Sequence, residues 1–155
     1  MRYSYTQALK TLSEWAIHQG YNEITLNHDD TSYIEWEDNT FNTPKQIKIE
    51  AKQPTELKVY AFLHELGHHQ LRKDWDKFKK TLPVTEHAER LHILKNVGKY
   101  ERRLTYRVSC MEEEFKAWDE GYKLGEKLGI KINLKKWGDF KARCLILYMR
   151  YYSSL

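Results

Sequence analysis

The first part of the chain carries its apolar side chains at helical spacing. Between Thr6 and His18 they recur every three or four residues, at Leu9, Leu12, Trp15 and Ala16. This spacing predicts an amphipathic helix. Gly20 follows closely, and we expect it to end that helix, because glycine readily takes the backbone conformation that closes a helix C-terminus.

The next part of the chain changes to a period of two. Apolar and polar residues alternate in three short segments, residues 23–27, 31–37 and 46–50. A period of two predicts strands with one buried face. We therefore expect a small three-stranded sheet, antiparallel or mixed. The turn-forming run His28-Asp29-Asp30 favours a hairpin between the first two strands.

Helical spacing returns after Pro54 and continues through the rest of the chain. It predicts helices over residues 54–73, 85–94, 100–128 and 133–152, with a break at Leu82-Pro83. The order helix, sheet, helices indicates an α+β fold. Its 155 residues suit one domain, residues 1–155, and no internal repeat or linker divides them.

Charge and composition narrow the classes of function. The net charge is only +4, and basic residues are mixed with 22 acidic ones, so no nucleic-acid surface is indicated. Basic side chains along the last helix could meet nucleic acid, but the interleaved aromatic side chains face the core. The N-terminus lacks the apolar stretch of a signal peptide, and the longest apolar stretch, residues 144–149, is too short to span a membrane. We expect a cytoplasmic protein with two reduced cysteines, Cys110 and Cys144.

The sequence His64-Glu65-Leu66-Gly67-His68 lies within the helix predicted after Pro54. Two histidines four residues apart project from one helix face and can hold one Zn²⁺. Glu65 lies on the flank of that face, where a carboxylate can accept a proton from water that the metal acidifies. Gly67 leaves room beside the metal for another segment. The motif predicts a hydrolytic zinc site with Glu65 as general base.

A catalytic zinc needs a third protein ligand and one open position. His69 projects away from the motif face, whereas His87 and His92 remain candidates. Acidic residues 112–114 lie in the helix predicted over residues 100–128. Glu113 and Glu114 border its buried stripe, and Glu112 falls toward solvent. A buried carboxylate needs a partner, which zinc supplies, so the residues favour Glu113 or Glu114.

The motif together with Glu114-Phe115-Lys116-Ala117-Trp118 resembles the gluzincin-like minimal metallopeptidases. These include ImmA/IrrE-type proteins and small zincin-like proteins of phages and mobile elements. The resemblance covers residues 46–128. It implies a minimal zincin-like fold and one zinc held by His64, His68 and Glu114, with Glu65 as catalytic base.

We therefore predict a zinc metallopeptidase that hydrolyses peptide bonds of a restricted protein substrate. Residues 46–50 are expected to form an edge strand to which an extended substrate adds, and Lys45, Lys48 and Lys52 favour acidic segments. The candidates for oxyanion stabilisation are Arg102, Arg103, Arg107, Tyr100 and Tyr106. The alternative is a regulatory module on a zincin scaffold, which binds protein or nucleic acid with little proteolysis.

Overall fold

The computed structural model describes residues 3–29, 31–37, 40–93 and 102–155, and it leaves the side chains of residues 91–93 undescribed. Within these residues, one helix precedes three strands, and five helices follow them. In chain order they are α1 (Tyr5–His18), β1 (Glu23–Asn27), β2 (Tyr33–Trp36), β3 (Pro44–Glu50), α2 (Thr55–Arg72), α3 (Trp75–Thr81), α4 (Pro83–Ile93), α5 (Leu104–Lys127) and α6 (Leu134–Ser154). This order confirms the α+β fold.

Local chemistry explains where several of these helices begin and end. The Ser4 hydroxyl accepts a hydrogen bond from the amide of Gln7 and caps α1, and Gly20 follows that helix with a φ of 104°. Helix α3, which has seven residues and is capped by Asp74, was not expected from the sequence. The expected start of α5 near Tyr100 lies outside the described residues. None of the helices in the described ranges is both long and apolar enough to cross a membrane.

The sheet is mixed, with the strand order β1-β3-β2. Strand β1 runs parallel to β3, and β2 runs antiparallel to it. The expected hairpin between β1 and β2 is therefore wrong. Burial gives the reason, because β3 carries the fully buried Ile47 and the nearly buried Ile49, whereas every residue of β2 is only half-buried. The strand with most apolar surface to bury takes the centre of the sheet.

This order also changes the expected substrate edge. Residues 46–50 belong to the central strand, whose two sides already bond to β1 and β2. A further strand cannot add there, so the expectation of an edge strand at these residues is wrong. Strand β2 is bonded on one side only within the described sheet, and it is one of the two strands with an edge to offer.

Helices α2 and α5 pack against each other backbone to backbone. A Cβ atom on Gly67 would lie 1.8 Å from the carbonyl oxygen of Ala117, and one on Gly121 would lie 2.3 Å from that of Leu63. Any side chain at either glycine would force the helices apart. The pairing of Gly67 with Ala117 and of Leu63 with Gly121 makes the two helices antiparallel, and it confirms that Gly67 admits another segment.

We expect Gly67→Ala to lower the free energy of unfolding by about 3 kcal/mol or more, because the added methyl group meets backbone that cannot rotate away. Urea unfolding measures this change. Gly138→Ala is the matched control: it lies in α6, a Cβ there meets nothing within 4 Å, and the gain in helix propensity is up to about 1 kcal/mol. Equal effects of the two substitutions would contradict the close contact.

Candidate metal centre

Helix α2 buries the whole motif. The exposed fractions of His64, Glu65 and His68 are 5%, 5% and 9%. The two imidazole rings lie 4.9 Å apart, centroid to centroid, and one ligand atom from each of the three residues lies within 4.8 Å of the others. The three side chains therefore form a buried cluster that can hold a metal ion.

Helix α5 brings the carboxylate of Glu114 to the same point. Its Oε2 lies 3.0 Å from Nε2 of His64, and its Oε1 lies 3.5 Å from Nε2 of His68. The carboxylate thus bridges the outer nitrogens of both rings. Burial alone would raise the pKa of Glu114, but the charge of His68 and the hydrogen bonds from both rings hold it well below its usual range.

Glu113 faces the other side of His68. Its Oε1 accepts a hydrogen bond of 3.0 Å from Nδ1 of His68. An ionised carboxylate only accepts, so Nδ1 carries a proton. Burial of His68 favours the neutral ring, but the charges of Glu114 and Glu113 outweigh it and raise its pKa well above the ordinary value. Glu113 therefore orients the ring, and Nε2 is left for Glu114 or for a metal ion.

Arg72 fixes Glu113 in turn. Its Nε and Nη2 donate to the two carboxylate oxygens of Glu113 at 2.7 and 2.8 Å, and its Nη1 and Nη2 donate to those of Glu89 at 2.9 and 2.7 Å. A fifth hydrogen bond, of 3.2 Å, goes from Nη1 to the carbonyl oxygen of Phe41. Burial would raise the pKa of Glu113, but the charge of Arg72 and the contact with His68 lower it to about 2. Arg72 thus ties α2, α4 and α5 together beneath the cluster.

The indole of Trp118 supports the other histidine. It lies parallel to the ring of His64, with centroids 4.3 Å apart and an interplanar angle of 11°. Trp118 is fully buried against Trp137 and Phe140 of α6. Because neither ring can rotate without breaking this stack, His64 is held in one orientation.

The remaining acids and histidines lie elsewhere. Glu112 is exposed. His69 points into the core, where Tyr21 lies 3.0 Å from its Nδ1, and burial with the charge of Lys73 lowers its pKa to about 4. His87 is exposed and contacts Arg90. The side chain of His92 lies outside the described residues.

The expected oxyanion residues are only partly brought to the site. Arg102 and Arg103 are exposed, Arg107 donates a hydrogen bond of 3.0 Å to the carbonyl oxygen of Tyr152, and Tyr100 lies outside the described residues. Tyr106 lines a cavity of about 250 Å³ together with His68 and Glu114.

Tyr148 of α6 was missed by the sequence analysis. Its side chain lines that cavity and also a neighbouring one of about 600 Å³, and Ser32 and Glu65 are the other residues common to both. Burial, with the charges of Glu114 and Glu65, raises the pKa of Tyr148, so its hydroxyl keeps its proton. No sequence signal placed it there, because the packing of α6 over α2 cannot be read from its periodicity.

The chemistry of these residues suits a metal ion. Two imidazole nitrogens and a carboxylate oxygen are a donor set found in catalytic zinc sites, and the partner of His68 on Nδ1 is the outer contact that such ligands usually have. No protein-family model matches this chain, and no curated protein or solved structure shows significant similarity to it.

We expect Arg72→Met to lower the free energy of unfolding by about 3–5 kcal/mol, because it leaves Glu113 and Glu89 buried without their cation. Thermal or urea unfolding measures the loss. Arg90→Met is the control, since Arg90 is 56% exposed in its ion pair with Glu86 and its loss should cost less than about 1 kcal/mol. Similar losses in the two variants would contradict a structural role of the buried network.

Proposed function

We propose that this protein is a zinc-dependent metallopeptidase of minimal zincin type, which hydrolyses peptide bonds of a restricted protein substrate. His64, His68 and Glu114 hold the metal, and Glu65 is the general base. The position of Glu114 carries the proposal, since its carboxylate bridges Nε2 of both motif histidines from a different helix. A surface His-Glu helix face would need neither this burial nor this partner.

The chemistry follows from the residues around the cluster. Zinc, when bound, supplies a Lewis acid that polarises the peptide carbonyl and lowers the pKa of water. Glu65 takes the proton from the attacking water and returns it to the leaving amine. The protonated hydroxyl of Tyr148 donates a hydrogen bond to the oxygen on which negative charge develops.

An extended substrate would bind along the edge of strand β2. Ser32, Ile34 and Trp36 of this edge segment line the smaller cavity together with Glu65 and His68. A peptide that adds to the edge of β2 by main-chain hydrogen bonds would pass directly beside the general base. The substrate edge proposed here is therefore β2, in place of the central strand.

The assignment of the metal ligands predicts a clear order among three variants. His64→Ala and Glu114→Gln should each lose zinc, since either change removes a ligand. Glu113→Gln should retain zinc with an affinity about 10–100-fold weaker, because it keeps the three ligands but weakens the contact that orients His68 and the ion pair with Arg72. Elemental analysis after dialysis against a zinc buffer checks this order. Full occupancy in His64→Ala and Glu114→Gln would contradict the assignment.

The roles of the two catalytic residues predict a different pattern. Glu65→Gln should keep zinc and lower hydrolysis by a factor of about 10²–10⁴. Tyr148→Phe should lower kcat by about 10²–10³ with little change in KM, because its hydrogen bond strengthens only in the transition state. Mass spectrometry of a digested proteome-derived peptide library identifies a cleaved peptide, and initial rates at several concentrations of that peptide give kcat and KM for each variant.

The control for these rates is Tyr3→Phe, an equivalent change at an exposed tyrosine that lines neither cavity, which should retain activity. Unchanged turnover in Glu65→Gln would contradict the mechanism. Zinc binding without any cleavage by the native protein would favour the alternative of a regulatory binding module.

A further inference from the structure

The larger cavity opens directly beside the metal cluster. It measures about 600 Å³, within the range of sites that hold a small ligand or a large side chain. Its lining includes His64, Glu65 and Trp118 on one side and Cys144 and Leu147 of α6 on the other. The cavity therefore begins at the reacting groups and extends away from them along α6.

Apolar groups dominate the side of this cavity formed by α5 and α6. Trp118 and Phe140 are buried beneath it, and Leu147 is 63% exposed at its margin. An apolar surface that stays accessible beside buried polar chemistry gains free energy when an apolar side chain covers it. A peptide with its backbone on β2 and one side chain turned toward α6 would provide that cover.

A positively charged side chain, that of Arg143, lies beside this apolar wall of the cavity. Arg143 is exposed, lies over the ring of Phe140 with its guanidinium carbon 5.5 Å from the centroid, and also lines the cavity. In the part of the chain that the structure describes, no carboxylate lies within ion-pair distance of it. Glu50 lines the cavity as well as Glu65. Its carboxylate already accepts a hydrogen bond of 2.9 Å from the side-chain amide of Gln53.

We infer that this cavity is a specificity pocket. It takes a large apolar side chain of the substrate next to the cleaved bond, and Arg143 binds the acidic side chain of a neighbouring substrate residue. The inference rests on the proposed peptidase function for the identity of the occupant. Its support is the continuity of the cavity with Glu65, the apolar wall, and the positive charge of Arg143 beside that wall, which pairs with no carboxylate among the described residues.

Four blocked probes test the two halves of this inference. Each is a succinyl hydroxamate with either hydrogen or a benzyl group as its side chain, coupled to either glutamate amide or glutamine amide. Calorimetry with zinc-loaded protein should give about tenfold or tighter binding for benzyl over hydrogen. At low ionic strength glutamate should bind about threefold tighter than glutamine, and salt should remove that preference.

Variants assign each preference to its residue. Cys144→Phe fills the cavity and should remove the benzyl preference, and Cys144→Ser should retain it. Leu147→Ala removes exposed lining without adding bulk and should weaken the benzyl preference severalfold, so the test does not depend on the larger substitution folding. Arg143→Gln should abolish the glutamate preference, whereas Arg150→Gln, an equal change of charge on the same helix, should not.

A second probe series separates this inference from the metal centre. Replacing the hydroxamate by an N-methylamide removes the group that chelates zinc. NMR titration of metal-free protein with these methylamides then measures the affinity of the pocket without any contribution from the metal. If hydroxamates bind no tighter than methylamides to zinc-loaded protein, the metal centre is wrong, while a benzyl preference in the methylamide series still supports the pocket. Equal binding of benzyl and hydrogen in that series would overturn the pocket. A glutamate preference lost equally in Arg143→Gln and Arg150→Gln would overturn the role of Arg143.

Discussion

The contact between the backbones of α2 and α5 is the constraint on which the candidate site depends. Gly67 and Gly121 let the two helices approach until the carbonyl oxygens of Ala117 and Leu63 occupy the space of the missing side chains. One turn before Ala117 along α5, this approach carries Glu113 and Glu114 to the face of α2 that presents His64 and His68. With a wider separation the acids would not reach the imidazole rings at hydrogen-bond distance. The chemistry of the cluster is thus a consequence of helix packing.

Burial makes this arrangement costly unless every charge has a partner. Arg72, Glu113, His68, Glu114 and His64 form one connected series in which each group contacts the next at 3.5 Å or less. Removing any member takes a partner away from a buried charged group, which is costly in surroundings of low polarity. The same series gives two adjacent glutamates different surroundings. Arg72 binds Glu113, whereas Glu114 faces Nε2 of His64 and of His68. The carboxylate that orients His68 and the carboxylate that we propose as a metal ligand are therefore distinguished by their partners.

Much of the fold could be predicted from the sequence, because helix periodicity and strand alternation are local. The histidine pair and Glu65 were evident for the same reason, since their spacing on one helix fixes their common face. The order of the strands could not be predicted, because it depends on contacts between distant parts of the chain. The turn at residues 28–30 favoured a hairpin, but the burial of Ile47 and Ile49 places β3 between β1 and β2. The choice between Glu113 and Glu114 depends on the contact of Glu113 with Arg72, and these two residues are 41 positions apart in the sequence. The roles of Tyr148 and Arg143 could not be predicted, because they depend on how α6 packs against the other helices, and neither spacing nor composition specifies that packing.

The position of the metal ion tests the account most directly. A crystal structure of the zinc-loaded protein, with anomalous scattering measured on both sides of the zinc absorption edge, locates the ion independently of any assignment of ligands. The account predicts one ion on Nε2 of His64, Nε2 of His68 and the carboxylate of Glu114, with a fourth position open toward Glu65, and with Glu113 still bonded to Arg72. An ion closed by four protein ligands, one bound by Glu113 in place of Glu114, or zinc found only at the surface would contradict it.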